Sequence, residues 1–291
     1  MDPPWSLRIR DEAPLTLCAV ARGRAWVVPD EGEAVLLVPG DAAVFRGPDH
    51  YTVADDPATA PTVIVHPGQR CTTPDGEDLS AAMTLGVRTW GNSPDGATVM
   101  LTGSYGMDGE VSGRLLRALP PLLVIEGHSW NSPLIPLLAA EITVDDPGQE
   151  AVLDRLLDLL LIAALRAWFA RPEAEAPGWY RAYADPVVGP ALRLMHNAPE
   201  HHWTVAELAR ASGASRAALA RRFTELVGEP PMSFLAEWRI ALAADLLLEP
   251  GATVGSVAPR VGYKSPFALS SAFKRLRGVS PQEFRTAAAA A

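Results

Sequence analysis

"GYKSPFALSSAFKRLRGVSPQEFR", Gly262–Arg285, repeats a unit that first occurs as "GASRAALARRFTELVGEPPMSFL", Gly213–Leu235. The copies stay in step. Ser215 and Ser265 open them, and Phe223 and Phe273 follow eight residues later. Gly228 and Gly278, Pro231 and Pro281, and Phe234 and Phe284 then match in turn. In the first copy Leu219, Phe223 and Leu226 or Val227 recur at helical spacing and predict a buried stripe, with Arg216, Ala217, Ala220, Arg221 and Thr224 on the other face. Ser215 is a good N-cap, and Gly213, after "VAELARAS", suits a left-handed helix end. Helix, glycine turn and capped helix with a basic outer face is a helix-turn-helix pattern. In the second copy Ser265 caps, Pro266 takes the first helical position, and Leu269, Phe273 and Leu276 form the stripe. Lys264, Lys274, Arg275 and Arg277 supply its charge.

Charge separates the halves of the chain. Residues 185–291 hold 12 Lys+Arg against 9 Asp+Glu, while residues 1–184 hold 13 against 25, within a net charge of −9. A basic back half on an acidic protein points to nucleic acid. The composition, 48% apolar and 20% charged, is that of a globular protein, and 291 residues suffice for two domains. The N-terminus "MDPPWSLRIR" has no apolar signal region, so none is expected. Two cysteines, Cys18 and Cys71, make no disulfide framework, and a cytoplasmic location is expected.

Residues 7–70 read as short strands broken by Pro29, Gly32, "PGD" at 39–41 and "GPDH" at 47–50, the pattern of an antiparallel barrel or jelly roll. Residues 69–97 read as polar loop, and "ATVMLTGSYGMD" as one more strand. "GRLLRALPPLLVI", "SPLIPLLAAEIT" and "EAVLDRLLDLLLIAALRAWFA" have helical spacing. The last is apolar on more than one face, which suits a core helix or one shared with a partner. Beyond a linker, seven short helices are expected, at 187–197, 204–211, 215–227, 231–247, 256–261, 266–277 and 281–287. Pro259 is interior to the fifth if that helix starts at Val254, and lies in its first turn if Ser256 is the cap. The second option is the expectation, giving a very short scaffold helix and a less rigidly docked second unit.

Residues 196–285 resemble the DNA-binding domain of AraC/XylS transcription regulators, with "GY.S…F…FKR..G.SP.EFR" close to that family's C-terminal signature. The resemblance implies two helix-turn-helix units joined by a long helix, about Pro231–Leu248, with recognition helices about one DNA turn, ~34 Å, apart. By position it implies base-facing Ala217, Ala220 and Arg221 in the first unit, and Phe267, Ser270 and Ser271 in the second. Arg216, Arg222, Lys264, Lys274 and Arg275 are expected mostly on phosphates, with Ser215 and Ser265 on the same surface. "PWSLR…LCAVARGRAWVVP…LLVPGDAAVFRGPDHYTVAD" is similar to the cupin-like sensor domain of one subgroup of that family. That likeness implies a small-molecule or redox signal, with His50, Cys18 and Trp26 as candidate effector contacts.

The combined fold is α+β: a cupin-like β-barrel or jelly roll with a helical extension, then an all-α domain with two helix-turn-helix units. The expected boundaries are 1–129 for the sensor domain, 130–172 for a helical dimerisation region, 173–186 for a linker and 187–291 for the DNA-binding domain. Residues 18–38 contain no histidine, so the usual cupin metal ligands are absent. His50 with His66, Cys18 or Cys71 has zinc-binding chemistry, yet no spacing demands it. The relatives' second redox cysteine corresponds to Thr102, which favours Cys18 as a small buried hydrophobe. No cofactor or metal is expected. The implied partners are double-stranded DNA, RNA polymerase, an effector and a second copy of the chain, in a regulator of activator type and not an enzyme. The alternative is a cupin-type metal enzyme with an accessory DNA-binding domain.

Overall fold

The alternating runs of the front half do form strands. The computed structural model describes residues 1–106, 109–130, 132–144, 146–171 and 176–290. It divides into two units, Met1–Met107 with Leu119–Ala174, and Asp108–Ala118 with Glu175–Ala291. This division differs from the expected boundaries in assigning the 108–118 segment to the second unit.

The first unit contains β1 (Ser6–Ile9), β2 (Leu15–Arg22), β3 (Ala25–Pro29), β4 (Val35–Leu37), β5 (Ala42–Arg46), β6 (Tyr51–Ala54), β7 (Val63–His66), β8 (Arg70–Thr72), β9 (Thr84–Gly86), β10 (Thr89–Trp90), β11 (Val99–Tyr105) and β12 (Leu122–Ile125). Six strands make one sheet in the order β4-β3-β6-β1-β7-β8, and four make another in the order β11-β2-β5-β12. Strands β9 and β10 form a separate hairpin. Three short strands thus lie in the stretch read as loop, where Gly and Thr mask the strand period.

One core joins the sheets. Ala25, Val27, Leu37, Tyr51 and Val53 from the first pack with Cys18, Val20, Ala43 and Phe45 from the second, around Trp5. The rings of Phe45 and Tyr51 stack with centroids 3.7 Å apart. Residues Leu15–Val20 are all buried, which an antiparallel strand achieves only when both of its faces are covered. Cys18 and Val20 face the sheet-to-sheet core, and Leu15, Leu17 and Ala19 alternate with that set. Two helices of this unit, described next, contact this sheet.

Across the chain the helices are α1 (Glu110–Leu116), α2 (Gly127–Trp130), α3 (Leu134–Glu141), α4 (Gln149–Phe169), α5 (Gly178–Ala182), α6 (Val188–Asn197), α7 (Val205–Ala211), α8 (Arg216–Val227), α9 (Pro231–Leu248), α10 (Val254–Arg260), α11 (Pro266–Arg277) and α12 (Pro281–Ala290). Both α3 and α4 pack on the four-stranded sheet. The segment "GRLLRALPPLLVI", expected to be helical, is split. Its first part is α1 and its last is β12, paired antiparallel with β5 from Leu122↔Phe45 to Ile125↔Ala42. Pro120 and Pro121 end any helix there, and Pro121 O accepts the Arg46 amide at 2.9 Å. The "PGD" turn has a structural role: buried Asp41 accepts from Val38 N at 2.9 Å and from Gly127 N at 2.7 Å.

The second unit has two cores sharing one helix. Phe234 and Leu235 of α9 join Val188, Leu192, Met195, Leu208, Leu219 and Phe223 in the first. Ile240, Ala243, Ala244 and Leu247 of the same helix join Val257, Ala258, Val261, Leu269 and Phe273 in the second. Part of the expected linker, 173–186, belongs here, because α5 buries Ala182 completely in the first core. Residues 173–175 of that segment lie outside the described residues. Among the described residues, no helix is long and apolar enough to cross a membrane.

Candidate nucleic-acid interface

Both copies of the repeat are built by the same local devices. Thr204 and Thr253 cap the scaffold helices α7 and α10, each reciprocated by the residue three further on, Glu207 or Ser256. Both helices end in the same turn: Ala214 N donates to Ala209 O and Tyr263 N to Ala258 O, each at 2.9 Å. Gly213 N to Arg210 O and Gly262 N to Pro259 O, both 3.2 Å, complete two Schellman motifs. Gly213 and Gly262 have φ of +65° and +79°, where glycine is favoured. Ser215 and Ser265 then cap the recognition helices α8 and α11, accepting from Ala218 N and Ala268 N at 3.2 Å. The repeated phenylalanines form matched edge-on pairs, Phe223–Phe234 at 5.7 Å and Phe273–Phe284 at 5.5 Å.

Pro259 corrects the sequence reading. Thr253, not Ser256, is the N-cap of α10, and Pro259 lies inside the helix. It removes one intrahelical donor, but its carbonyl is the acceptor that the C-terminal turn uses. Nor is the second unit loosely held. A Cβ on Gly262 would lie 2.8 Å from Glu200 O, so the turn of the second unit abuts the loop leading into the first.

The outer faces carry most of the expected contact residues. Arg216, Ala217 and Arg221 on α8 are exposed, as are Phe267, Ser271, Lys274 and Arg275 on α11 and Lys264 just before it. Ala220, Ser265 and Ser270 are half-buried beside them. Phe267 is 81% exposed, an uncommon position for a phenylalanine in a chain with large buried cores. Arg221 makes an exposed pair with Glu225 at 3.2 Å on its own helix. Arg222 is committed elsewhere: it donates to the Asp185 carboxylate from Nε at 2.8 Å and Nη2 at 2.6 Å. That pair ties α8 to the start of α6, so the expected phosphate contact by Arg222 competes with an internal one.

The three effector candidates of the N-terminal strand-rich unit are not brought together. Cys18 is in the core, with burial pushing its thiol up to about 12. It pairs across the sheet with Thr102. Trp26 alternates with buried Ala25 and Val27 and so faces away from that core. His50 precedes β6, near enough to Asp30 to lower its carboxyl, which is held down mainly by the Arg8 guanidinium. Buried polar atoms without a protein partner, among the described residues of this unit, are Trp5 Nε1, Ser6 Oγ, Asp55 Oδ1 and Tyr105 Oη. A tryptophan just before β1 and a serine at its start carry no sequence signal for such a role. No group of three or more potential metal ligands occurs among the described residues.

Residues 1–170 match a family model described as Cupin, and residues 208–287 one described as Helix-turn-helix domain. A putative AraC-like transcription regulator of Streptomyces lividans is 32% identical over 286 residues, covering 97% of this chain and 90% of that protein. The chain belongs to the AraC/XylS family of transcription regulators. A putative AraC-like transcription regulator of Streptomyces antibioticus matches this AraC-type chain with the same identity and coverage. Among solved structures, the DNA-binding domain of AdpA in complex with a target DNA is similar, at 33% identity and a TM-score of 0.34, covering 36% of this chain and 93% of that one. As an AraC-type protein the chain is a DNA-binding transcription regulator and not the cupin-type metal enzyme of the alternative reading.

Proposed function

We propose that α8 and α11 enter two successive major grooves on one side of an asymmetric DNA site. The observation that carries this reading is the pair of matched units on a common shaft. Helix α9 contributes to both cores, and its 18 residues span about 27 Å at 1.5 Å per residue. A separation of about 34 Å between recognition helices, one turn of DNA, is compatible with such a shaft. Arg221 is the base reader of the first unit, through guanine, and Phe267 offers an apolar contact for a thymine methyl in the second. Arg216, Lys264, Lys274 and Arg275 grip phosphates.

The N-terminal strand-rich unit senses a signal that alters this binding, with a small organic molecule as the proposed effector. The buried, high-pKa state of Cys18 argues against a redox signal there. The unpartnered polar atoms of Trp5, Ser6 and Asp55 are better placed than Trp26 to meet a ligand inside the domain. The regulator acts as a homodimer through α4, and contacts RNA polymerase when bound to DNA. Nuclease protection upstream of neighbouring operons tests the DNA reading. The expected result is an asymmetric footprint of about two turns; no specific protection at moderate salt would overturn it.

A further inference from the structure

Near the middle of α9, one side chain holds both readers. Arg239 donates from Nε to Pro199 O and from Nη2 to His201 O, each at 2.7 Å. Those carbonyls lie in the loop between α6 and α7, the approach to the first unit. The same guanidinium is packed against the turn of the second. A Cβ on Gly262 would lie 2.7 Å from Arg239 Nη2, and the Tyr263 ring centroid is 6.0 Å from Cζ. A half-buried cation is thereby satisfied by two carbonyl dipoles and an aromatic face. A planar fork of donors does this, whereas the point charge of lysine cannot serve two carbonyls and a ring in the same geometry.

We propose that Arg239 is a positioning residue that fixes the separation and rotation of α8 relative to α11, and so sets the spacing between subsites that the protein accepts. The inference rests on the two-groove reading above. Inserting one base pair moves the second groove by about 3.4 Å along the axis and turns it by about 35°. Two readers locked together cannot follow that change without losing contacts. Loosened readers follow it, but pay an ordering cost on every site, the native one included. Because its donors are engaged internally, Arg239 acts through the two turns and not by touching DNA.

The test uses the full chain with Cys71→Ser as background, and spin labels at Thr224→Cys after the base-reading part of α8 and Val279→Cys beyond α11. The parent should give one narrow distance distribution, and so should a Gly213→Ala control, which shares the positive-φ strain of Gly262→Ala but meets nothing within 4 Å of its Cβ. Arg239→Ala, Arg239→Lys and Gly262→Ala should broaden it about twofold or shift it by about 3 Å, on the scale of one base-pair step. An unchanged distribution in Arg239→Ala overturns the inference, whatever happens with DNA. The second arm uses a duplex selected by the full chain from a random library, with one base pair inserted or removed between the subsites. The parent should disfavour the altered spacings by about tenfold, and Arg239→Ala by less than about threefold, with weaker binding to the native spacing. An equal loss on all three duplexes would mean DNA contact or misfolding and would overturn the proposal. Failure of the parent to select any duplex would instead sink the two-groove reading, while the label distances still report on Arg239.

Discussion

Asp185 and Arg222 form a two-pronged ion pair across 37 residues of sequence, and Asp185 Oδ1 also accepts from Val187 N and Val188 N at 2.9 Å. The Arg222 hydrogen bond first, then the two amides, holds this carboxyl down at about 2. A depressed carboxyl contributes stability that is complete above its unfolded value, about 3.9, and is lost as pH falls toward 2. Asp185→Ala should therefore lower stability at neutral pH by about 1–2 kcal/mol, because it leaves helix-start amides unpaired. Thermal melts at pH 7 and pH 2.5 check this: the gap between variant and parent should shrink at the lower pH.

His196 should make the second unit acid-sensitive in a higher window. Its ring stacks on Tyr183, whose hydroxyl bonds to Nδ1, and meets Phe234 and Trp238 edge-on at 5.5 and 4.5 Å. Burial first, and the nearby Arg114 charge second, push it down to about 4. The unfolded imidazole binds a proton near pH 6.5, so stability is full above that value and declines as pH falls to about 4. Urea titrations of the parent should show a falling midpoint across this range, and His196→Phe should flatten that dependence. A midpoint that stays constant from pH 7 to pH 4.5 would contradict the assignment.

The two recognition helices should respond differently to mutation. Arg221→Ala should relax base preference at its subsite, costing about 1–3 kcal/mol of discrimination. Ser270→Ala and Ser271→Ala should change it less, because a serine hydroxyl pairs with several bases. Phe267→Ala should weaken binding without shifting the melting temperature, since the ring is almost wholly exposed. Arg222→Ala should affect stability as well as DNA binding, which separates it from Arg216→Ala. Competition binding against base-substituted duplexes, beside thermal melts, measures all six.

The sequence carried the second unit almost completely, because each device there is local. N-cap serines, left-handed glycines and first-turn prolines occupy fixed positions relative to an apolar stripe, and the two copies check each other. The Phe223–Phe234 and Phe273–Phe284 pairs explain why the repeat keeps two phenylalanines eleven residues apart. Pro259 sits inside α10 against the expectation, because the helix is capped at Thr253 and the proline carbonyl serves the closing turn. Long-range partners were illegible. Nothing in "LLVI" announces that Leu122–Ile125 pairs with Ala42–Phe45, and nothing in "EWRIA" announces carbonyl partners about forty residues upstream. The effector candidates lie apart for a related reason: alternation on β2 and β3 decides which side a residue faces, and Cys18 and Trp26 fall on different sides.

Thiol chemistry separates a buried cysteine from a sensor. Cys18 is 2% exposed and Cys71 half-buried, with burial raising both thiols. The native protein should release no more than one equivalent of thionitrobenzoate from Ellman's reagent, slowly and from Cys71 alone. The second equivalent should appear only on unfolding, and Cys71→Ser should abolish the native signal. Rapid modification of Cys18 under native conditions would reopen a redox role.

Helix α4 offers the clearest surface for a second copy. One of its faces is buried through Leu153, Leu160, Leu161, Ala164 and Leu165. Val152, Leu159 and Ile162 are 44%, 51% and 47% exposed, and at spacings of seven and three they share another face. Arg155 and Arg166 lie on the same face as that stripe, and Arg155 is already paired with Asp158. Three exposed apolar side chains on one helical face, with arginines among them whose stems can pack beside a partner, suit an interhelical seam. Leu159→Glu should leave the circular dichroism spectrum unchanged, because the side chain has little to lose within its own protomer. Light scattering after gel filtration should show the parent as a dimer and the variant as a monomer. A Leu159→Glu protein that remains dimeric would move the interface off this face.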